Sequence, residues 1–208
     1  MNQQAVLKLL EDHQAIITNS HVVYTSGKHG STYINKDAIY LDPDAVSLLC
    51  KPIADYFASL NIQVVAAPAI GGVILSQWVT HHLNTHQNKS LAVYAEKIDS
   101  GQFVFRRGYD KLIHGKRTLI VEDILTTGGS VKAVVDAVRE CGGEVVGVAA
   151  ICNRGSVNKK SIGDPPELFT LVNVSFDAWD ENECPLCANR VPINTDIGKG
   201  REFLLRKQ

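Results

Sequence analysis

The sequence lacks an excess of charge of either sign, and it lacks a long apolar run. Its 21 basic and 22 acidic residues leave a formal net charge of −1, which excludes a polybasic chain and predicts no nucleic-acid partner. The longest mostly apolar stretch, 64–75, is about twelve residues long and is broken by proline and glycine, whereas a membrane span needs about 20. We therefore expect neither a nucleic acid nor a membrane as a partner.

Cysteines are few, and the first residues are not those of an export signal. Glu11 and Asp12 fall where a secretory signal peptide would stay apolar. Five cysteines are an odd and sparse set, unlike the disulfide framework of a small secreted domain. The expected location is the cytoplasm.

What is present is the composition and pattern of a globular α/β chain. Hydrophobic residues make up 45% of the 208 residues and charged residues 21%. Strands alternate with helices, and glycine turns follow the strands, which predicts a doubly wound, mostly parallel sheet flanked by helices. Such sheets bind ligands beyond the carboxyl ends of their strands. The predicted helices are 2–17, 43–60, 73–84 and 130–141, and the predicted strands are 63–67, 91–95, 118–122 and 144–152.

The most informative stretch runs from Leu119 to Ser130 and reads LIVEDILTTGGS. An apolar strand leads to Glu122 and Asp123, whose carboxylates can accept hydrogen bonds from the vicinal hydroxyls of a sugar. The Thr-Thr-Gly-Gly-Ser turn then opens a helix, where converging backbone N–H groups, hydroxyls and the helix dipole favour a phosphate. Two acidic residues next to a phosphate cradle predict a ribose 5-phosphate site.

Three further stretches add to this pattern. Small residues and two glycines at 66–73 (AAPAIGGV) allow the backbone to approach a ligand closely. The segment 24–35 reads YTSGKHGSTYIN, and Arg154 follows the strand 144–152. The guanidinium of Arg154 is a planar cation that pairs well with carboxylates.

The 119–130 stretch resembles the phosphoribosyl-pyrophosphate signature of type I phosphoribosyltransferases. The 24–35 segment and Arg154 resemble features of the orotate phosphoribosyltransferases within that family. The resemblance implies the type I phosphoribosyltransferase fold in a single domain, 1–208, with a core at about 41–166 and a small hood at about 1–40 plus 167–208. It also implies a homodimer and Mg²⁺ as the cofactor.

The implied reaction transfers ribose 5-phosphate from phosphoribosyl pyrophosphate to orotate, giving orotidine 5′-monophosphate and pyrophosphate in pyrimidine biosynthesis. The catalytic residues are then Asp123, Glu122 and Lys97, and no protein side chain is assigned as a metal ligand. The expected orotate contacts are Thr126, Arg154, Lys28 and Tyr33. The expected phosphoribosyl-pyrophosphate contacts are Glu122, Asp123, Ile124, Leu125, Thr126, Thr127, Gly128, Gly129, Ser130, Ile70, Gly71, Lys97, Arg106 and Arg107.

Some features depart from the family pattern and leave alternatives open. Ala95 stands where the catalytic loop of most relatives begins with arginine, and Lys97, Arg106, Arg107 and His114 are the cations that could form the clamp in a lid at 97–114. A phosphoribosyltransferase for another base and a non-catalytic regulator that binds phosphoribosyl pyrophosphate are the alternatives. Cys184 and Cys187 form a Cys-x-x-Cys pair that could be half a zinc site, a disulfide or two thiols.

Overall fold

The computed structural model describes residues 1–86 and 89–206. They form two compact units. A large unit comprises Met1–Val6 and Tyr40–Val174, and a small unit comprises Leu7–Ile39 and Ser175–Gln208. The small unit thus joins segments from the two ends of the chain.

Eight α-helices are assigned within the described residues. Short 3₁₀ turns at Ala58–Leu60, Lys159–Ile162 and Glu181–Glu183 supplement them. The helices are α1 (Gln3–Asp12), α2 (Lys36–Ile39), α3 (Pro43–Phe57), α4 (Gly71–Thr85), α5 (Tyr109–Ile113), α6 (Gly129–Glu140), α7 (Pro185–Ala188) and α8 (Gly200–Leu205).

Ten strands are assigned within the same part of the chain. The first four are short and belong to the small unit, and the other six build the large unit. The strands are β1 (Ile16–Ile17), β2 (Val22–Val23), β3 (His29–Gly30), β4 (Tyr33–Ile34), β5 (Val64–Pro68), β6 (Leu91–Lys97), β7 (Phe103–Val104), β8 (Arg117–Leu125), β9 (Glu144–Asn153) and β10 (Leu168–Asn173).

The large unit is built on a six-stranded sheet in the order β10-β9-β8-β5-β6-β7. The first five strands of this order pair in parallel, and β7 pairs antiparallel with β6. The chain adds β6 on one side of β5 and β8 on the other. The sheet therefore has its topological switch point between β5 and β8, where open α/β sheets bind ligands.

Burial follows from the apolar runs in the sequence. Strand β5 is buried along its whole length, and the centre of β8, Leu119–Val121, is fully buried, as expected for parallel strands covered on both faces. Helix α6 places valines at helical spacing against the sheet, among them Val131, Val134 and Val138. These contacts hold the amino end of α6 beside the carboxyl end of β8.

Helices α1 and α3 each begin at the capping residue that the sequence predicts. Asp42 precedes Pro43, and its carboxylate accepts hydrogen bonds from the N–H groups of Asp44 and Ala45. Asn2 caps α1 through the N–H group of Ala5. The first helix nevertheless ends at Asp12 rather than at residue 17, because 16–17 pairs with 33–34 as β1 and β4.

Two further element boundaries differ from the sequence-based prediction. Strand β8 extends through Leu125, three residues beyond the predicted end at Glu122, so Asp123 also lies within the strand. Residues 168–173 form β10, a parallel edge strand on β9, although the sequence assigned the segment from 167 onward to the hood. An edge strand with partly exposed side chains lacks the continuous apolar run that identifies the central strands.

The small unit has two short antiparallel strand pairs. Strand β1 pairs with β4, and β2 pairs with β3. Backbone bridges join His21 to Ile193 and His29 to Trp179, which ties the amino-terminal strands to the carboxyl-terminal segment. Within the described residues, no helix is both long and apolar enough to cross a membrane.

Candidate active site

A pair of buried carboxylates lies near the carboxyl end of β8. Glu122 is 9% exposed and Asp123 is 4% exposed. The backbone N–H of Ile124 donates to Asp123 Oδ1 at 2.7 Å, and the N–H of Asp123 lies 3.1 Å from Glu122 Oε1. The strand therefore presents two hard oxygen-donor groups next to the loop that follows it.

Tyr40 connects this acidic pair to the loop after β5. Its hydroxyl oxygen lies 3.1 Å from Asp123 Oδ2 and 2.8 Å from the carbonyl oxygen of Gly71, and its one proton can be donated to either acceptor. Burial raises the pKa of Tyr40, and the negative charge of Asp123 raises it further. Tyr40 therefore stays protonated and remains a donor at neutral pH.

The loop 126–130 joins β8 to α6 and is exposed except at Gly128. Gly128 has φ 80°, and a Cβ there would lie 2.5 Å from Ile162 Cγ2, so the turn requires glycine. Helix α6 begins at Gly129, which leaves its first backbone N–H groups available for an anion. The glycine turn and the helix start that the sequence predicts are thus present, and their role as a phosphate cradle stays a prediction.

Arg154 is placed beside this loop by backbone contacts. The N–H groups of Arg154 and Gly155 lie 2.8 and 3.2 Å from the carbonyl oxygen of Leu125. A Cβ on Gly155 would overlap the carbonyl of Thr126, so the close approach of the two segments depends on glycine. The half-buried Arg154 therefore belongs to the same edge of the sheet as Glu122 and Asp123.

The loop after β5 contributes the second backbone segment. Ile70 is 84% exposed, and the peptide bond between Ala69 and Ile70 is cis. Gly72 packs closely, since a Cβ there would meet Ala67 Cβ at 2.8 Å and the Val121 carbonyl at 3.0 Å. Ile70 and Gly71 therefore lie at the switch point between β5 and β8.

The predicted cationic segment contains a β-hairpin formed by β6 and β7. Lys97, Arg106 and Arg107 are exposed. Both arginines approach Glu96, with Nη···Oε distances of 2.8 Å for Arg107 and 3.9 Å for Arg106. The hairpin thus collects several cations and a carboxylate that partly neutralises them.

His114 does not belong with the other cations. It precedes β8, whose carboxyl end carries the site, and its Nδ1 lies 3.1 Å from the carbonyl oxygen of Cys141. Because it lies at the amino end of that strand, its proposed place in the clamp was wrong. The position of His114 in the sequence, shortly before β8, does not show whether it lies at the amino or the carboxyl end of the strands.

Lys28 and Tyr33, which the sequence assigned to the base, belong to the small unit. Lys28 Nζ lies 3.7 Å from Asp180 Oδ1, and Tyr33 is part of β4. The large unit contains the remaining predicted site residues, which are Glu122 through Ser130, Ile70, Gly71, Lys97, Arg106, Arg107 and Arg154.

Sequence reasoning missed Tyr40. Its contact with Asp123 spans 83 positions of sequence, and no spacing rule links two such residues. A weak signal was its place immediately before the Leu41-Asp42-Pro43 entry to α3, since that entry lies next to the predicted sheet.

Comparisons with known proteins agree with this geometry. The family model described as "Phosphoribosyl transferase domain" matches residues 44–184. An orotate phosphoribosyltransferase of Caldicellulosiruptor saccharolyticus is 36% identical over 193 residues, which cover 93% of this chain and 95% of that protein. One from Desulforamulus reducens is 32% identical, covering 92% and 95% of the two chains.

A solved structure shares the fold. The Mycobacterium tuberculosis orotate phosphoribosyltransferase in complex with 5-phospho-alpha-D-ribosyl 1-diphosphate superimposes with a TM-score of 0.62 at 22% identity. The match covers 82% of this chain and 95% of that one.

Proposed function

The chain belongs to the phosphoribosyltransferase family, among the orotate phosphoribosyltransferases, and on that premise we propose how its residues transfer ribose 5-phosphate from phosphoribosyl pyrophosphate to orotate. The products are orotidine 5′-monophosphate and pyrophosphate. The observation that carries the proposal is the buried Glu122–Asp123 pair, which leads directly into an open anion-binding loop at the switch point of the sheet.

The reaction exchanges one bond at C1 of the ribose. The bond from C1 to the pyrophosphate oxygen breaks, and a bond from C1 to N1 of orotate forms as N1 releases its proton to solvent. Positive charge develops on the ribose ring as the leaving group departs. Asp123 and Glu122 hold the ribose hydroxyls, and their negative charges stabilise the ring in the transition state.

The 5′-phosphate binds far from the reacting carbon. The backbone N–H groups of the 126–130 loop and the hydroxyls of Thr126, Thr127 and Ser130 donate to its oxygens, and the dipole of α6 favours its charge. Binding energy from this remote group orients C1 for the exchange.

Mg²⁺ fits the donors present. The carboxylates of Glu122 and Asp123 are the hard oxygen ligands that Mg²⁺ prefers, and two carboxylates together with substrate oxygens are a usual set for this ion. When bound, Mg²⁺ neutralises charge on the leaving pyrophosphate.

Lys97, Arg106 and Arg107 neutralise the departing pyrophosphate, and Ile70 and Gly71 offer backbone groups to it. The 98–102 turn of the hairpin is polar and contains Gly101, which supports closure of this segment over bound substrate. Both arginines lie within ion-pair distance of Glu96.

Arg154 is the proposed anchor for the base. Its guanidinium can form two parallel hydrogen bonds with the orotate carboxylate or with ring carbonyls. Thr126, next to it in the large unit, is the second proposed orotate contact. Lys28 and Tyr33 of the small unit stay predictions from the family resemblance. A purine or uracil offers no carboxylate to such a cation, so these residues favour orotate over other bases.

The proposed assembly is a homodimer. Leu41 and Ile70 are large apolar side chains that are 86% and 84% exposed in the single chain, which supports a partner surface near the site. The five cysteines carry no disulfide, which fits the reducing cytoplasm as the proposed location.

The experiment that tests the function measures product stoichiometry. With orotate, phosphoribosyl pyrophosphate and Mg²⁺, we expect orotidine 5′-monophosphate and pyrophosphate to appear in equal amounts by mass spectrometry and a coupled phosphate assay. Pyrophosphate release without the nucleotide would contradict transfer to orotate, since it would indicate hydrolysis. No product at all, with phosphoribosyl pyrophosphate bound, would indicate a regulator.

A further inference from the structure

A second cluster of chemically active side chains lies wholly within the small unit. His21, His29, Cys184 and Cys187 each direct one ligand-type atom toward a common point, and these atoms lie within 4.8 Å of one another. His21 precedes β2 and His29 begins β3, and the cysteines belong to the Cys-Pro-Leu-Cys sequence at the start of α7. We propose that these four residues bind one zinc ion that joins the two ends of the chain.

Three of the four distances between these atoms fall in the range expected around a tetrahedral ion, and the fourth, between the two histidine nitrogens, is shorter. His21 Nε2 lies 2.9 Å from His29 Nδ1, 3.7 Å from Cys184 Sγ and 3.7 Å from Cys187 Sγ. Cys187 Sγ lies 3.3 Å from His29 Nδ1. At zinc bond lengths of about 2.0–2.1 Å to nitrogen and about 2.3 Å to sulfur, tetrahedral ligand atoms are separated by about 3.3–3.8 Å.

A neighbouring contact orients His21 as a metal ligand. Its Nδ1 lies 2.7 Å from the carbonyl oxygen of Val191, so the proton of the neutral ring is on Nδ1. Nε2 then carries a lone pair, and it is Nε2 that faces the other three groups. Metal-bound histidines usually make this kind of hydrogen bond through the second ring nitrogen.

Charge and burial favour zinc with two thiolates. His21 and Cys184 are each 2% exposed, and His29 is fully buried. Two thiolates balance the charge of a divalent ion, so the complex is neutral and can be buried. A set of two sulfur and two nitrogen ligands in tetrahedral geometry is typical of zinc, and four protein ligands with no open position indicate a structural role.

The small unit also needs a crosslink. Among the described residues 175–206, the buried ones are Cys184 and Gly200, so this segment adds little apolar surface to a core. Units below about 70–80 residues usually require a metal, disulfides or a partner for stability. The ion would connect segments separated by 163 positions in sequence, at the place where Trp179 and His29 exchange backbone hydrogen bonds.

Metal analysis of the purified protein tests the proposal. The wild-type chain, prepared untagged under reducing conditions without chelators, is compared by elemental mass spectrometry with Cys184→Ser and Cys187→Ser. Cys141→Ser serves as the matched control, because it removes a partly exposed thiol from the large unit. We expect about one zinc per chain in the wild type and the control, and at least a tenfold loss in the other two.

A spectroscopic measurement on the wild type remains decisive if the variants fail to fold. Co²⁺ exchanged into the wild-type protein should give the visible bands of a tetrahedral ion and the ultraviolet band of cobalt–thiolate bonds. The proposal would be overturned by octahedral bands or by a failure to take up Co²⁺. A Cys184–Cys187 disulfide in protein freshly prepared under reducing conditions would also overturn it. Equal zinc content in all four proteins would overturn the assigned ligands.

Discussion

At the scale of single residues, the site depends on a contact that links distant parts of the sequence. The Tyr40 hydroxyl lies between Asp123, on the strand that carries the acidic pair, and the carbonyl of Gly71. Residue types and their spacing were enough to predict Glu122, Asp123 and the 126–130 loop as site candidates, because these residues lie close together in the sequence. Tyr40 was not predictable, because only the packing of α3 and its entry segment against the sheet brings it there.

Replacing Asp123 with Asn should reduce turnover by about 100-fold or more, since one of the two charges that oppose the developing positive charge is removed. Initial rates of orotate consumption measure the effect. Asp136→Asn on α6 is the control, because Asp136 is exposed and pairs with Lys132 away from the strand end. Unchanged turnover in Asp123→Asn would contradict the role of this carboxylate.

Tyr40 should give the wild type a distinctive loss of stability in alkali. Its pKa is raised from an ordinary value of about 10, so its contribution is fully present below that pH and is lost as the pH rises further. The free energy of unfolding of the wild type relative to Tyr40→Phe should fall above about pH 10, by up to about 1.4 kcal/mol per pH unit.

Urea unfolding of both proteins between about pH 8 and pH 11 measures this difference. Buried Cys50 and Cys152, whose pKa values are raised to about 12, lower the stability of both proteins alike in the same range. A difference that stays constant with pH would show that Tyr40 is not held protonated by its surroundings.

At the scale of elements, the strand–turn–helix unit of β8 and α6 carries most of the proposed chemistry. Its pattern was predictable, because a fully buried strand, a glycine turn and an amphipathic helix each leave a strong local signal. The end of β8 was not, because hydrogen bonding to β9 decides where that strand stops. The sequence indicates short β pieces at 168–174, but their place beside β9 in the large sheet depends on the same kind of pairing. The hairpin of β6 and β7 was likewise not predicted, because the polar turn between the two strands gives no sign of their pairing.

The tight approach of the 154–155 segment to the phosphate loop makes Gly155 sensitive to substitution. Gly155→Ala should lower the free energy of unfolding by about 1–3 kcal/mol and raise the KM for phosphoribosyl pyrophosphate, since the Thr126 carbonyl must move. In Gly129→Ala the nearest atom to the new Cβ is Thr127 Oγ1 at 3.6 Å, and stability should change by less than about 1 kcal/mol. Equal destabilisation by both variants would contradict the close contact at Gly155.

At the scale of the whole molecule, two units with different means of stabilisation share one chain. The large unit has the apolar core, centred on β5 and β8, which its sequence predicts. The small unit combines residues from both ends of the chain, and the sequence showed only the Cys-x-x-Cys half of its cluster. His21 and His29 could not be assigned to that half, because their approach depends on how the two ends of the chain pair.

Removal of zinc should therefore loosen one unit and spare the other. In hydrogen exchange followed by mass spectrometry, a strong chelator should increase exchange in 18–30 and 179–200 by about tenfold or more, while the amides of β5 and β8 keep their protection. An excess of Zn²⁺ added back should restore protection. Uniform deprotection of both units would contradict a metal that acts within the small unit.

The central claim concerns the base that accepts the ribose phosphate, and one measurement tests it most directly. The decrease in ultraviolet absorbance of orotate is followed after adding phosphoribosyl pyrophosphate and Mg²⁺, with uracil, hypoxanthine and adenine in parallel assays of their own. We expect rapid consumption of orotate and none of the other bases. Turnover of another base in preference to orotate, or binding of phosphoribosyl pyrophosphate with no turnover of any base, would contradict the account.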